Sequence, residues 1–160
     1  MKDVPFSKSE IETLIASHPT PLYIYDETGI RNAAHRLIDA FSWNDGFREY
    51  FAVKALPNPH ILTILREQGC GADCSSLPEL LLAEQSGVRG QDIVLTSNDT
   101  PLEEFEKAIS LGAIVNLDAP EHLSYIARSL PLPSCISARY NPGPLRKGNH
   151  IIGKPEESKF

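Results

Sequence analysis

The chain has 160 residues, 41% of them hydrophobic and 22% charged. That is the length of one ordinary domain and the composition of a globular protein, which excludes disordered and fibrous classes. The net charge of −6 argues against a nucleic-acid binder, whose footprint is basic. No run approaches the ~18 uncharged apolar residues of a membrane span. The opening Met1-Lys2-Asp3-Val4-Pro5 lacks the apolar stretch of a secretory signal. Cys70, Cys74 and Cys135 are odd in number and have no zinc-ligand spacing, so they are expected to be reduced thiols in a cytoplasmic protein.

Residues 1–49 form a segment of their own. Ser7-Lys8-Ser9-Glu10 has capping-box spacing and opens a short helix through Ala16. Thr20 to Asp26 alternates and reads as extended. A longer helix from about Glu27 to Phe41 follows, with Ile30, Ala33, Ala34, Leu37 and Ile38 on its apolar side.

From Tyr50 onward the chain repeats. Apolar or β-branched runs cover Tyr50 to Leu56, Gly71 to Ser75, Asp92 to Ser97, Ala113 to Leu117 and Cys135 to Tyr140, so they begin every 21 or 22 residues. A fixed period of this kind is architecture. Between the runs lie amphipathic segments, Pro59 to Gln68, Pro78 to Ser86, Pro101 to Ser110 and Pro120 to Leu130. In the third, Leu102, Phe105, Glu106 and Ile109 fall on helical spacing, with Glu103, Glu104 and Lys107 on the wet side. Ser76 and Glu79, Thr100 and Glu103, and Asp118 and Glu121 have capping-box spacing. Proline near the helix starts suits a first turn that needs no N–H. Gly69, Gly87 and Gly112 stand where a left-handed residue ends a helix.

Strand–helix alternation with short loops predicts a parallel sheet covered by helices. The leucine-rich pattern of a solenoid is absent. A doubly wound nucleotide fold would show G-x-G-x-x-G after its first strand, where this chain has Leu56-Pro57-Asn58-Pro59. The α/β reading favoured is therefore a partial (β/α)8 barrel, with five parallel strands and four intervening helices visible over residues 50–160. Such a barrel takes ~250 residues, so the 160-residue chain is expected to be part of a longer polypeptide.

Lys54 is the first candidate for chemistry. In Tyr50-Phe51-Ala52-Val53-Lys54-Ala55-Leu56, alternation puts Lys54 beside small Ala52 near the strand's carboxyl end, where barrels build active sites. A lysine among apolar strand residues is seldom buried without a partner or a purpose. Desolvation frees its amine for attack on a carbonyl, as a Schiff-base lysine requires. The alternative is a lysine that snorkels out at the strand end or pairs with an acid. Asp73 holds the same place in the second run, Ser97 and Asn98 in the third, Asn116 and Asp118 in the fourth, and Arg139 and Asn141 in the fifth. Ser76, Thr100 and Asp118 are read as helix caps. Asp73 and Arg139 have no capping task; each is an ion-pair member or part of a site, and pattern alone does not choose. His18, His35, His60, His122 and His150 show no metal-ligand spacing, so no metal is expected. Cys70 and Cys74 read as small packing residues. Arg146, Lys147, Lys154 and Lys159, interrupted by Glu156 and Glu157, read as a solvated or phosphate-facing loop.

The stretch Tyr50 to Ala55 resembles the Y-A-V-K-A/S segment of the alanine-racemase-like, pyridoxal-phosphate-dependent decarboxylases, and most of all the diaminopimelate decarboxylases. Thr20 to Asp26 is similar to their P-L-Y-V-Y-D opening. Gly71 to Leu80 resembles G-x-D-V-x-S-x-x-E-L. Asn116-Leu117-Asp118 is similar to N-V-D, Arg139 to Gly143 to R-V-N-P-G, and Glu156 to Phe160 to (E/D)-x-K-F-G. Ala55 to Pro59 departs from the commoner A-N-S-N/A. The resemblance runs in order from residue 20 to 160.

It implies a barrel carrying pyridoxal 5′-phosphate, followed by a β domain, in a homodimer that acts on a small amino acid and needs neither nucleic acid nor membrane. It implies that Lys54 holds the cofactor covalently and that Asp73 and Arg139 belong to the cofactor environment at the barrel mouth. The reaction implied is decarboxylation of meso-diaminopimelate to L-lysine. The alternatives are ornithine, arginine or carboxynorspermidine as substrate, or a non-catalytic remnant. The family's ring-facing histidine, glycine-rich phosphate loop, E-P-G-R segment and C-terminal cysteine and tyrosine motifs are expected beyond Phe160. The 160 residues alone are therefore expected to turn over no substrate.

Overall fold

A computed structural model describes residues 4–146 and Lys154. The Glu156 to Phe160 stretch, Lys147, Lys159 and His150 lie outside the described residues. Among those described, the helices are α1 (Lys8–Ser17), α2 (Glu27–Ala40), α3 (Pro59–Glu67), α4 (Leu77–Gln85), α5 (Leu102–Ser110) and α6 (Pro120–Ala127). The strands are β1 (Tyr50–Ala52), β2 (Gly71–Cys74), β3 (Ile93–Thr96), β4 (Ile114–Leu117) and β5 (Ile136–Ala138). No described helix is long and apolar enough to cross a membrane.

The strands form one sheet in the order β1-β2-β3-β4-β5, and every pair is parallel. Right-handed crossovers between sequential parallel neighbours put the four intervening helices, α3 to α6, on one side. A doubly wound sheet would reverse its strand order somewhere, and this one never does. The sheet is an arc of a (β/α)8 barrel, as the repeat predicts.

The two faces differ in kind. Ala72, Cys74, Ile93, Leu95, Val115 and Leu117 are buried in a core shared with Leu80, Ala83, Phe105, Ala108 and Ile126 of α4, α5 and α6. The alternate residues Asp73, Val94, Thr96, Ile114 and Asn116 are only half-buried, and they line the concave side. A second core joins α2 to the sheet: Ala34 packs with Ile61, Leu65 and Cys70, flanked by Ile30, Ile38 and Phe51. Arg31 of α2 reinforces it by reaching both Glu27 and Glu67 at 2.7 Å.

The repeat is also visible in the helix ends. Cys70 donates its N–H to Leu65, Val88 to Ala83 and Ala113 to Ala108, each at 3.0 Å. These are the long-range bonds of the Schellman motif, with Gly69, Gly87 and Gly112 in the left-handed conformation at φ +89, +85 and +70.

Several local expectations are corrected. β1 ends at Ala52, and Val53–Ala55 is a 3-10 turn rather than more strand. Val53 turns fully into the core while Lys54 stands exposed, so Lys54 is not held inside an apolar strand. Pro57 and Pro59 follow at once, and proline cannot continue a ladder. The Ser7–Glu10 capping box forms in full, and Asn58 caps α3. Ser76 is the N-cap residue of α4, as expected, but its hydroxyl makes no cap bond; the N-cap residues of α5 and α6 are Pro101 and Ala119, so Thr100 and Asp118 do not cap them. On α5 the buried face includes Glu104, whereas Glu106 is exposed. The helix is rotated from its hydrophobic reading because Phe105 and Ala108 seat between β3 and β4.

At the amino end of the sheet, Tyr50 lies across Gly71 and donates its hydroxyl to the Gln91 carbonyl at 2.8 Å. A Cβ on Gly71 would stand 2.5 Å from the Asp92 carbonyl oxygen and 2.6 Å from the Tyr50 ring. Gly71→Ala is therefore expected to cost ~1–3 kcal/mol of stability through overpacking, read as a lower urea midpoint.

Candidate active site at the carboxyl end of the sheet

The polar residues gather where the strands end. Lys54 follows β1, Asp73 lies in β2, Thr96 closes β3, Asn116 and Asp118 end β4, and Arg139 follows β5. Register explains the gathering. Asp73 sits opposite Val94 and Thr96 opposite Asn116, which in turn faces Ser137. Thr96 is thus the diagonal neighbour of Asp73 on the concave face, two residues farther along β3.

Asp73 is the centre of the group. Burial pushes its carboxyl above the ordinary value, and the Thr96 hydroxyl, Lys54 and Arg139 draw it back down while Glu79 adds to the rise. Its Oδ1 is buried without a hydrogen-bond partner. The exposed Lys54 is near enough for its charge to act on the Asp73 carboxyl. Cys74, the next residue, faces the helices, and burial pushes its thiol up to about 12. That thiol is a packing group, as expected.

Arg139 and Asp118 form the far side. The Arg139 Nε lies 3.2 Å from Asp118 Oδ1, with the two side chains 21% and 10% exposed. The Arg139 N–H donates to the Leu117 carbonyl at 2.8 Å, which extends the β4–β5 ladder to the rim. Asp118 is thus an ion-pair partner of Arg139 instead of a cap. The loop residues Ser97 and Asn98 lie beyond Thr96, which takes the place at the site expected for them.

Glu79 belongs to the site through the turn after β2. Its Oε2 accepts the Ser75 N–H and its Oε1 the Ser75 hydroxyl, both at 2.9 Å. Sequence reading missed Thr96 and underrated Glu79. Counting two residues on from Val94 would have found the threonine.

The site offers an accessible primary amine beside a buried, unsatisfied carboxyl oxygen, with a guanidinium across the mouth. These groups suit an aldehyde cofactor that carries hydrogen-bonding ring substituents. No described residues group three or more His, Cys, Asp and Glu side chains for a metal ion.

Such a barrel arc, with polar residues at the carboxyl ends of its strands, is the α/β scaffold on which barrel enzymes build their sites. The chain belongs to the pyridoxal-dependent decarboxylases: their pyridoxal binding domain matches residues 28–160, and pyridoxal phosphate is the cofactor of the family. Protein TabA of Pseudomonas amygdali pv. tabaci is 41% identical over 150 residues, 94% of this chain and 35% of that protein. The crystal structure of Helicobacter pylori diaminopimelate decarboxylase complexed with L-lysine superposes with a TM-score of 0.73 at 32% identity. It covers 83% of this chain, which spans 34% of it. Ornithine decarboxylase from Entamoeba histolytica follows with a TM-score of 0.69 at 30% identity, covering 83% of this chain and 42% of its own. The chain thus spans between a third and a half of the length of these relatives.

The folded protein binds the Asp73 proton more tightly than the unfolded chain does. Stability must therefore fall as pH rises from the ordinary carboxyl value through the raised one. Asp73→Asn is expected to flatten that slope, so its urea midpoint should gain on wild type between about pH 4 and about pH 7. An unchanged difference between the two pH values would count against the burial of this carboxyl.

Proposed function

We propose that this chain supplies the lysine-bearing part of a pyridoxal-phosphate-dependent amino-acid decarboxylase, and that its substrate is meso-diaminopimelate, converted to L-lysine. The observation that supports the reading is the charge of Lys54 acting on the half-buried Asp73 at the end of the sheet, where barrel enzymes act. When bound, pyridoxal phosphate supplies an electron sink for the pair left by departing carbon dioxide.

The chain's own residues have distinct tasks in this proposal. Lys54 Nζ would hold the cofactor aldehyde, and its amine, when free, would carry a proton. Asp73 Oδ1 would accept a hydrogen bond from the cofactor or from Lys54 Nζ and would stabilise positive charge on the donor. Thr96 keeps Asp73 in place from β3. Arg139, held by Asp118, presents positive charge across the mouth. Val94 and Ile114 form an apolar floor below these groups and limit water.

The diaminopimelate assignment draws on the likeness to the Helicobacter pylori enzyme and on the motifs around Lys54, Asp73 and Arg139. The likeness to an ornithine decarboxylase supports a second reading, ornithine in place of diaminopimelate. The working enzyme is proposed to be a cytoplasmic homodimer. Residues 50–160 are proposed as the amino-terminal part of the cofactor-binding barrel, with residues 1–49 as the segment that leads into it.

In the full-length enzyme, Lys54→Ala is expected to lose the absorption band of lysine-bound cofactor and all turnover. A variant spectrum equal to wild type would remove Lys54 from the role. Offered meso-diaminopimelate, ornithine and arginine in turn, the enzyme should release carbon dioxide fastest with the first, and mass spectrometry should show lysine. Faster release from ornithine would transfer the assignment to the second reading.

The polypeptide of residues 1–160 by itself is expected to release none. Phosphate sites of such barrels usually form after strands 7 and 8, and five strands are described here. Carbon dioxide release by that polypeptide would show that the site is complete without them.

A further inference from the structure

We propose that Glu104 is a positioning residue for this site: through the Leu77 amide it fixes the turn from β2 into α4, and so holds Asp73 within reach of the Lys54 charge. The proposal rests on the decarboxylase reading above. Glu104 stands in the first turn of α5 and is only 8% exposed. A carboxyl group is costly to bury unless it is hydrogen-bonded. One oxygen, Oε1, accepts the Leu77 N–H at 2.9 Å, while Oε2 is buried with no partner. A half-satisfied buried acid is a feature that packing alone would replace by an apolar side chain.

The bond it makes explains what it does. Leu77 is the first residue of α4, and its N–H is one of the amides a helix start leaves without an internal partner. Ser76, the N-cap residue, takes no helix amide with its side chain. A carboxyl from the neighbouring helix, 27 residues away, does so instead. Glu79 grips the same turn from within α4, taking both the N–H and the hydroxyl of Ser75. Ser75 and Leu77 are thus each tied to a carboxyl, and the turn begins two residues after Asp73.

The groups facing Asp73 come from every element around it: Lys54 after β1, Thr96 of β3, Glu79 of α4 and Arg139 after β5. Releasing the start of α4 would move Glu79 and Asp73 together, away from Lys54. Glu104 touches neither cofactor nor substrate and acts through the turn.

Variants of the full-length enzyme separate this role from a purely structural one. Glu104→Gln keeps an acceptor oxygen at the same reach, Glu104→Asp shortens the reach by one methylene, and Glu104→Met removes the acceptor. Two readouts are taken: hydrogen exchange of the Leu77 amide in cofactor-free protein, and the pH midpoint of the lysine-bound cofactor band. The Asp and Met variants should exchange the Leu77 amide about tenfold faster, the loss of one hydrogen bond. Their midpoint should move to lower pH, because Lys54 loses a negative neighbour. The Gln variant should match wild type in both.

Wild-type exchange in the Asp and Met variants would overturn the proposal. So would faster exchange with an unmoved midpoint, or a Gln variant as disturbed as Met. If only Met fails to fold, Asp carries the comparison. Failure of both to fold would make Glu104 a determinant of the fold and overturn the positioning role. A cofactor band that survives Lys54→Ala would instead sink the decarboxylase reading, and leave the Leu77 exchange result standing.

Discussion

Each β-strand here hydrogen-bonds to the next strand in sequence, in parallel, and a right-handed crossover between such neighbours always lands its helix on the same side. That handedness divides the sheet into two environments. On the convex side, Ala72, Cys74, Ile93, Leu95, Val115 and Leu117 meet the helices and build the core. On the concave side the alternate residues have no helix to meet. Polar groups there cost less to keep, and the carboxyl ends of the strands collect them.

Adjacent residues show how sharply the division acts. Cys74 and Asp73 are consecutive in β2, yet one faces the helices and the other faces the mouth. Burial acts on both. It raises the thiol to about 12 and removes it from chemistry. In Asp73 the same pressure is met by the Thr96 hydroxyl and the charges of Lys54 and Arg139. The result is a carboxyl group held in a partly dry place by neighbours from the first, third and fifth strand units. Such a group responds to whatever binds beside it, because its own hydrogen-bonding capacity is not used up.

Carboxyl groups also organise the scaffold behind the site. Glu79 closes the turn after β2 from its own helix, and Glu104 closes the same turn from the next one. Spacing alone assigns both positions wrongly. A serine or threonine three residues before a glutamate is a capping box only if the backbone enters the helix at that residue. Ser7 and Glu10 satisfy the condition on an exposed helix with no competing contacts. At Thr100 the helix begins one residue later, at Pro101, and at Ser76 the backbone enters the helix but the hydroxyl donates to the Glu79 carboxylate instead of accepting a helix amide. Packing against the sheet turns Glu104 inward and Glu106 outward, against the hydrophobic pattern of α5. Lys54 shows the effect at the sheet edge, where the paired prolines and the burial of Val53 end β1 two residues before the lysine.

The period of 21 to 22 residues, the glycines after the helices and the alternation within the strands are local properties, so the chain alone determines a parallel, helix-covered sheet. Those patterns also bring Lys54, Asp73 and Arg139 to one rim, because each lies at or just past the carboxyl end of its strand. Which carboxyl is half-buried, which arginine answers which aspartate, and which glutamate turns into the core are long-range facts. They depend on strand register and on the rotation of each helix against its neighbours. Only the tertiary structure decides them, because a side chain's surroundings here are built from residues a full repeat or more away in sequence.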